Sequence, residues 1–166
     1  MGVNPRKPLI RLTLPGNPSY VRRAFLTCWT ERDRRPEDTL TERNMRVLVA
    51  EDEPHIRRVL LTLLEAVGFE VEAVPDGTAA LERIESPEAF DIVLVDIMMP
   101  GATGLQVLER ARALEHRAST PVVVLTAKGQ DVEREAAFEL GASDFITKPF
   151  SPKKLLAQIH NLLDRA

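Results

Sequence analysis

Three short apolar runs limit what this chain can become: Val47-Leu48-Val49, Ile92-Val93-Leu94-Val95 and Val122-Val123-Val124-Leu125. They are rich in β-branched residues and apolar at consecutive positions rather than alternate ones. That pattern suits strands buried on both faces, as in a parallel sheet covered by helices on either side. The middle run is the most sharply bounded, following the turn-prone Pro87 segment and ending at Pro100-Gly101. Each run gives way to polar residues at its carboxyl end: Glu51-Asp52-Glu53 after Ala50, Asp96 after Val95, and Thr126-Ala127-Lys128 after Leu125. In open α/β sheets ligands bind at the carboxyl ends of the strands. A lone acid there is commonly a solvated side chain; several arriving together are a candidate site.

The segments between the runs complete the pattern. Pro54 suits the first turn of a helix, and Ile56, Val59, Leu60, Leu63, Leu64 and Val67 repeat at threes and fours before Gly68 as a cap. Residues 69–74 alternate as a strand, Pro75-Asp76-Gly77 reads as a turn, and 78–85 as a short helix carrying Ala80, Leu81 and Ile84. Gly104 opens a helix with Leu105, Leu108, Ala111 and Leu114 inward. Residues 131–140 are helical, 143–147 form a strand, and Ser151 with Pro152 starts a last helix whose face is Leu155, Leu156, Ile159, Leu162 and Leu163. Five strands alternating with five helices over residues 45–166 predict an α/β domain: a flavodoxin-like, doubly wound parallel sheet with strand order 2-1-3-4-5 and right-handed crossovers.

Residues 1–44 differ from the rest. They hold five prolines, paired arginines, and the only Trp, Tyr and Cys of the chain. They carry a net charge of +4, against -7 for the remainder and -3 for the whole. No apolar period lasts more than a few residues, so the expectation is a disordered N-terminal extension, or one that is not made if synthesis starts at Met45. A basic arm that docks on a partner is the functional alternative. The total charge gives no reason to expect direct DNA binding. No apolar run is long enough for membrane insertion, and no signal peptide opens the chain. The single cysteine, Cys28, allows no intramolecular disulfide, and a cytoplasmic location is expected.

In the predicted strand order, the ends of strands 1, 3, 4 and 5 bring Glu51 and Asp52, Asp96, Thr126 and Lys148 to one edge. Three crowded carboxylates repel unless a cation sits among them. A hard divalent ion with oxygen ligands is the natural answer, and Mg²⁺ is the common one. A carboxylate nucleophile beside a metal, a hydroxyl and a lysine suits phosphoryl transfer.

These residues carry a resemblance. Asp96-Ile97-Met98-Met99-Pro100-Gly101-Ala102-Thr103-Gly104 is an intact Asp-x-x-Met-Pro-x-x-x-Gly motif. With the acidic pair Glu51-Asp52, the threonine of Leu125-Thr126-Ala127 and the lysine of Phe145-Ile146-Thr147-Lys148-Pro149-Phe150, it makes residues 45–166 resemble a receiver domain of a two-component response regulator. The resemblance implies that Asp96 takes a phosphoryl group from a histidine kinase or histidine phosphotransfer protein. It implies Asp52 and Asp96 as direct Mg²⁺ ligands, Glu51 acting through water, and the Met98 backbone carbonyl as the remaining protein ligand. Thr126 and Lys148 would hold the phosphoryl oxygens, Thr126 and Phe145 would be the switch pair, and Lys148-Pro149 is the place to look for a cis bond. The residues flanking the path of a hydrolytic water would be Met98 and Lys128, which favours a long-lived phosphorylated state.

The remaining candidates read as structural. His55, His116 and His160 lack metal-ligand spacing and are expected at the surface, and Met98 and Met99 read as gap fillers. No further domain follows the last helix, so the expectation is a stand-alone receiver, not an enzyme acting on other substrates. It would signal to a downstream protein through the fourth helix, fifth strand and fifth helix, residues 130–164. Two rivals remain: a docking module that works without phosphate, and an aspartate-based phosphohydrolase of the haloacid dehalogenase type. The latter needs a second acid where this chain has Met98.

Overall fold

The computed structural model describes residues 44–127, 129 and 131–165; the expectations for residues 1–43 and for Lys128 lie outside them. Ten elements follow one another in strict alternation. They are β1 (Arg46–Ala50), α1 (Pro54–Ala66), β2 (Glu70–Val74), α2 (Gly77–Glu85), β3 (Ile92–Asp96), α3 (Gly104–Ala113), β4 (Val122–Ala127), α4 (Asp131–Glu139), β5 (Asp144–Lys148) and α5 (Pro152–Leu163). The strands form one parallel sheet in the order β2-β1-β3-β4-β5.

The consecutive apolar runs do what their composition requires. Because successive strand residues point to opposite faces, each run feeds two cores at once. Leu48, Ala50, Val93, Val95, Val122 and Val124 pack on one face against Ala80 and Ile84 of α2, Val107, Leu108 and Ala111 of α3, and Ala137 of α4. Val47, Val49, Ile92, Leu94, Val123, Leu125 and Ile146 pack on the other against Leu60 and Leu64 of α1 and Leu155 and Ile159 of α5. Each large aliphatic side chain buried this completely contributes about 1.5–3 kcal/mol. The two cores hold the central strands rigid, and rigid strands fix where their carboxyl ends lie.

Local chemistry sets the boundaries. Thr103 and Gln106 form a reciprocal capping box at the start of α3. Pro54 and Pro152 occupy the first turns of α1 and α5. Gly68 and Gly141, with φ of 97° and 88°, end α1 and α4 in the left-handed region that a side chain would resist. The expected turn at Pro75-Asp76-Gly77 is instead the start of α2: the Asp76 carboxylate accepts from the Ala79 amide at 2.8 Å, and Gly77 is already helical. Val59 also departs from expectation. It sits in the apolar stripe of α1 but is 51% exposed, because only Leu60 and Leu64 of α1 reach full burial on the sheet. In α3 the fully buried residues include Val107, while Leu105 and Leu114 are only partly covered. Among the described residues no helix is long and apolar enough to cross a membrane.

Candidate functional site

The site is assembled by strand order. β1, β3, β4 and β5 are adjacent and parallel, so the residues at their carboxyl ends meet on one edge. Glu51 follows β1 and is fully buried; Asp96 ends β3 at 7% exposure; Thr126 in β4 is 2% exposed; Lys148 ends β5. Lys148 is 97 residues from Glu51 in sequence, and its Nζ donates to Glu51 Oε1 at 2.9 Å and to Asp96 Oδ2 at 2.7 Å. The second Glu51 oxygen, Oε2, lies 2.7 Å from the same nitrogen as an ionic contact without a directed hydrogen bond. One ammonium thus bridges two buried carboxylates.

Electrostatics follow from that crowding. Burial pushes the Glu51 carboxyl above its ordinary range and the Asp96 charge adds to the push, while Lys148 and the Glu53 amide act against it. For Lys148 burial works toward neutrality, but its hydrogen bonds to Asp96 and Glu51 outweigh it and raise the pKa. The lysine therefore stays charged throughout the physiological range.

Glu51, Asp52 and Asp96 each offer a carboxylate oxygen, all within 4.8 Å of one another. The set contains only oxygen donors, and one lysine does not balance three acids. Oxygen donors and a net negative charge fit a hard divalent cation such as Mg²⁺ and not a soft metal, which would call for sulfur or imidazole.

The remaining site residues fall close by. The Met98 amide donates to Asp96 Oδ1 at 3.4 Å, so the loop after β3 folds back on the acid it follows. The Met98 side chain is 60% exposed and fills no gap; Met99, at 9%, is the one that packs. Thr126 Oγ1 donates to Thr147 Oγ1 at 3.4 Å, linking β4 to β5. Phe145 is half-buried: its ring and that of Phe138 stand nearly perpendicular, 5.5 Å between centroids, and the Arg134 guanidinium lies over the Phe145 ring at 4.5 Å. The Lys148-Pro149 bond is cis. His55, His116 and His160 are all exposed.

Two neighbours of the site carry no sequence signal. Arg57, on the first turn of α1, donates to the Glu51 and Asp52 carbonyl oxygens at 2.7 and 3.0 Å. Val59 joins Ile56, Pro149 and Phe150 around an apolar depression that reaches Lys148. In sequence the first looks like one more surface arginine and the second like one more core valine.

Comparison with known proteins bears on the same residues. The family described as response regulator receiver domain matches residues 47–160. The Sensory transduction protein RegX3 of Mycobacterium bovis is 42% identical over 119 residues, covering 72% of this chain and 51% of that protein. The Phosphate regulon transcriptional regulatory protein PhoB of Escherichia coli is 39% identical over 120 residues, covering 72% and 52%. Among solved structures, the chemotaxis response regulator CheY4 of Vibrio cholerae superposes with a TM-score of 0.68 at 28% identity, covering 72% of this chain and 99% of that one. The receiver domain of a sensor histidine kinase from Pseudomonas aeruginosa, described with a magnesium ion coordinated in its active-site cleft, gives 0.68 at 27% identity, covering 74% and 99%. The chain spans about half the length of the curated relatives it matches. Those longer relatives lend no support to the expectations of a stand-alone protein and of no DNA contact.

Proposed function

The chain belongs to the response regulator receiver domain family, and from that premise we propose that Asp96 accepts a phosphoryl group from the phosphohistidine of a kinase or phosphotransfer protein. An Asp96 carboxylate oxygen forms the new bond to phosphorus as the phosphorus–nitrogen bond breaks, and the electron pair stays on the donor imidazole. Glu51, Asp52 and Asp96, with the Met98 carbonyl, are the residues that would hold Mg²⁺; the ion bound in the Pseudomonas receiver supports this assignment. When bound, it supplies positive charge to the phosphoryl oxygens as negative charge gathers there. Lys148 is set to follow those oxygens, since its ammonium is already 2.7 Å from Asp96 and stays charged. The Thr126 hydroxyl, nearly buried one strand over, can turn from Thr147 to a phosphoryl oxygen.

The Lys148 bridge is the observation that carries this reading. A half-buried lysine held by two buried acids is costly to build and has no packing purpose that an apolar trio would not serve better. Signalling follows from the strand that Thr126 and Lys148 both touch. Movement of Thr126 toward a phosphoryl group loosens its contact with Thr147 on β5. Phe145 lies two residues away on that strand, half-buried beneath Arg134. A downstream partner then reads the face of α4, β5 and α5. The reaction stops at the chain's own aspartate: no second acid stands where a phosphohydrolase would need one, and Met98 at that position points into solvent. A receiver that docks without phosphate is the second reading, and the assembled bridge favours the first.

Incubation with Mg²⁺ and acetyl phosphate tests it by intact mass. The wild-type chain gains the mass of one phosphoryl group and Asp96→Asn gains none. Uptake by the variant at the wild-type rate overturns the assignment, and no uptake by the wild type returns the chain to the docking reading.

A further inference from the structure

We propose that Arg57 is a positioning residue for the cation site, holding the peptide groups that carry Glu51 and Asp52; this rests on the receiver reading above. The loop between β1 and α1 needs such a hold. Glu53, the residue at the helix N-cap, makes no side-chain capping bond. Within the loop, the Glu53 amide reaches Glu51 Oε1 only at 3.4 Å, and the Glu51 amide is tied to Val74 at 3.2 Å. The short contacts come from Arg57: one nitrogen, Nη1, takes the Glu51 carbonyl at 2.7 Å and the Asp52 carbonyl at 3.0 Å. Two carbonyls turned toward one guanidinium fix two successive peptide planes, and the planes fix the directions in which both side chains leave the backbone.

The division of labour with Lys148 is chemical. Lys148 bonds carboxylate oxygens, the same atoms a cation needs, and so competes with it. Arg57 bonds carbonyl oxygens and leaves the carboxylates to the site. It can therefore prepare the site for Mg²⁺ without occupying it, which is how outer partners of metal ligands act. Arginine suits this task because its guanidinium is always charged and its donors lie in a fixed plane.

The test uses Mg²⁺ alone as probe, titrated against the melting temperature of the full chain to give an affinity, with acetyl phosphate uptake as a second readout. Arg57→Gln and Arg57→Ala should each weaken Mg²⁺ binding about tenfold, with uptake recovering at high Mg²⁺. Arg58→Ala removes the same charge one residue along, from an exposed side chain, and should bind Mg²⁺ as the wild type does. A lower melting temperature in Arg57→Gln with unchanged Mg²⁺ affinity overturns the proposal, since a purely structural arginine would give that result. Equal weakening by Arg58→Ala also overturns it, because net charge would then be the cause. If Arg57→Ala does not fold, Arg57→Gln decides, as it keeps most of the stem and one amide donor group. A wild-type chain that shows no Mg²⁺ response at all defeats the receiver reading itself, a result separate from either of these.

Discussion

The two edges of the sheet treat charge in opposite ways. At the amino edge, Arg46 meets Glu70 and Glu88 at 3.1 and 3.0 Å, and Arg83 meets Glu72 and Glu88. Arg46 and Arg117 both lie over the Phe90 ring, at 5.1 and 5.0 Å. Arg117 is 1% exposed and donates to the carbonyls of Ile84 and Ser86, each at 3.1 Å, and of Glu88. Acid is answered by arginine, and the buried arginine by carbonyls. At the carboxyl edge three acids crowd together and one lysine pairs with two of them. The same strands run through both edges, so the difference is not one of fold. One edge closes the structure, and the other keeps a deficit of positive charge that a ligand can fill. Sites that bind and react commonly give up stability in this way.

Three variants test the contrast between the edges. The largest effect is expected at the amino edge. Arg117→Met keeps the buried stem but strips the carbonyls of Arg83, Ile84, Ser86 and Glu88 of a donor, so urea unfolding should show a loss of about 3 kcal/mol. A loss well under 1 kcal/mol would mean that this edge is not the anchor described here. The carboxyl edge should respond with the opposite sign. Glu51→Gln leaves Lys148 with one buried acid in place of two, and without Mg²⁺ it should gain about 1 kcal/mol. Mg²⁺, expected to raise the melting temperature of the wild type, should then no longer raise that of the variant.

That gain has a pH signature. The folded pKa of Glu51 is raised above its ordinary 4.5, so the folded chain holds this proton more tightly than the unfolded chain does. The residue is best tolerated below 4.5, and its contribution is lost as pH rises through the raised value. The advantage of Glu51→Gln should accordingly be least in acid and widen with rising pH; a gap that narrows would contradict the charge deficit. The smallest effect belongs to an exposed ion pair. Arg110 and Glu85 pair at 2.7 Å with side chains 47% and 49% exposed. Glu85→Gln should change stability by less than about 0.5 kcal/mol.

The acids and the lysine of the carboxyl edge were legible in the sequence for a physical reason. A strand buried on both faces must be apolar until it ends, so the first polar residue marks both the end and the site. Asp96 and Glu51 stand out on that ground alone, and alternation of elements then fixes the order that joins them to Lys148. Arg117 was not legible. It lies in the polar stretch Glu115-His116-Arg117-Ala118-Ser119, and its partners are carbonyls about thirty residues earlier, which leave no mark on side-chain composition. Arg57 was hidden for the same reason, since it too bonds backbone. Val59 misled because periodicity gives the width of an apolar stripe but not how much of it the sheet covers. Gly77 misled because Pro-Asp-Gly suits a turn and a capped helix start equally well, and the cap that separates them, from the Ala79 amide to the Asp76 carboxylate at 2.8 Å, shows only in three dimensions.

Gly104 closes the loop that begins at Asp96. Its amide donates to the Ile97 carbonyl at 2.9 Å, and a Cβ on it would run into the Asp96 carbonyl oxygen and carbon. The first and last residues of the nine-residue motif are thus in van der Waals contact across a ring of backbone. The spacing between them is a dimension, like the span of a caliper. Lengthening the loop, or adding one methyl group at its far end, would be felt at Asp96 itself, and α3 could not shift along its axis without pressing on the strand that carries it.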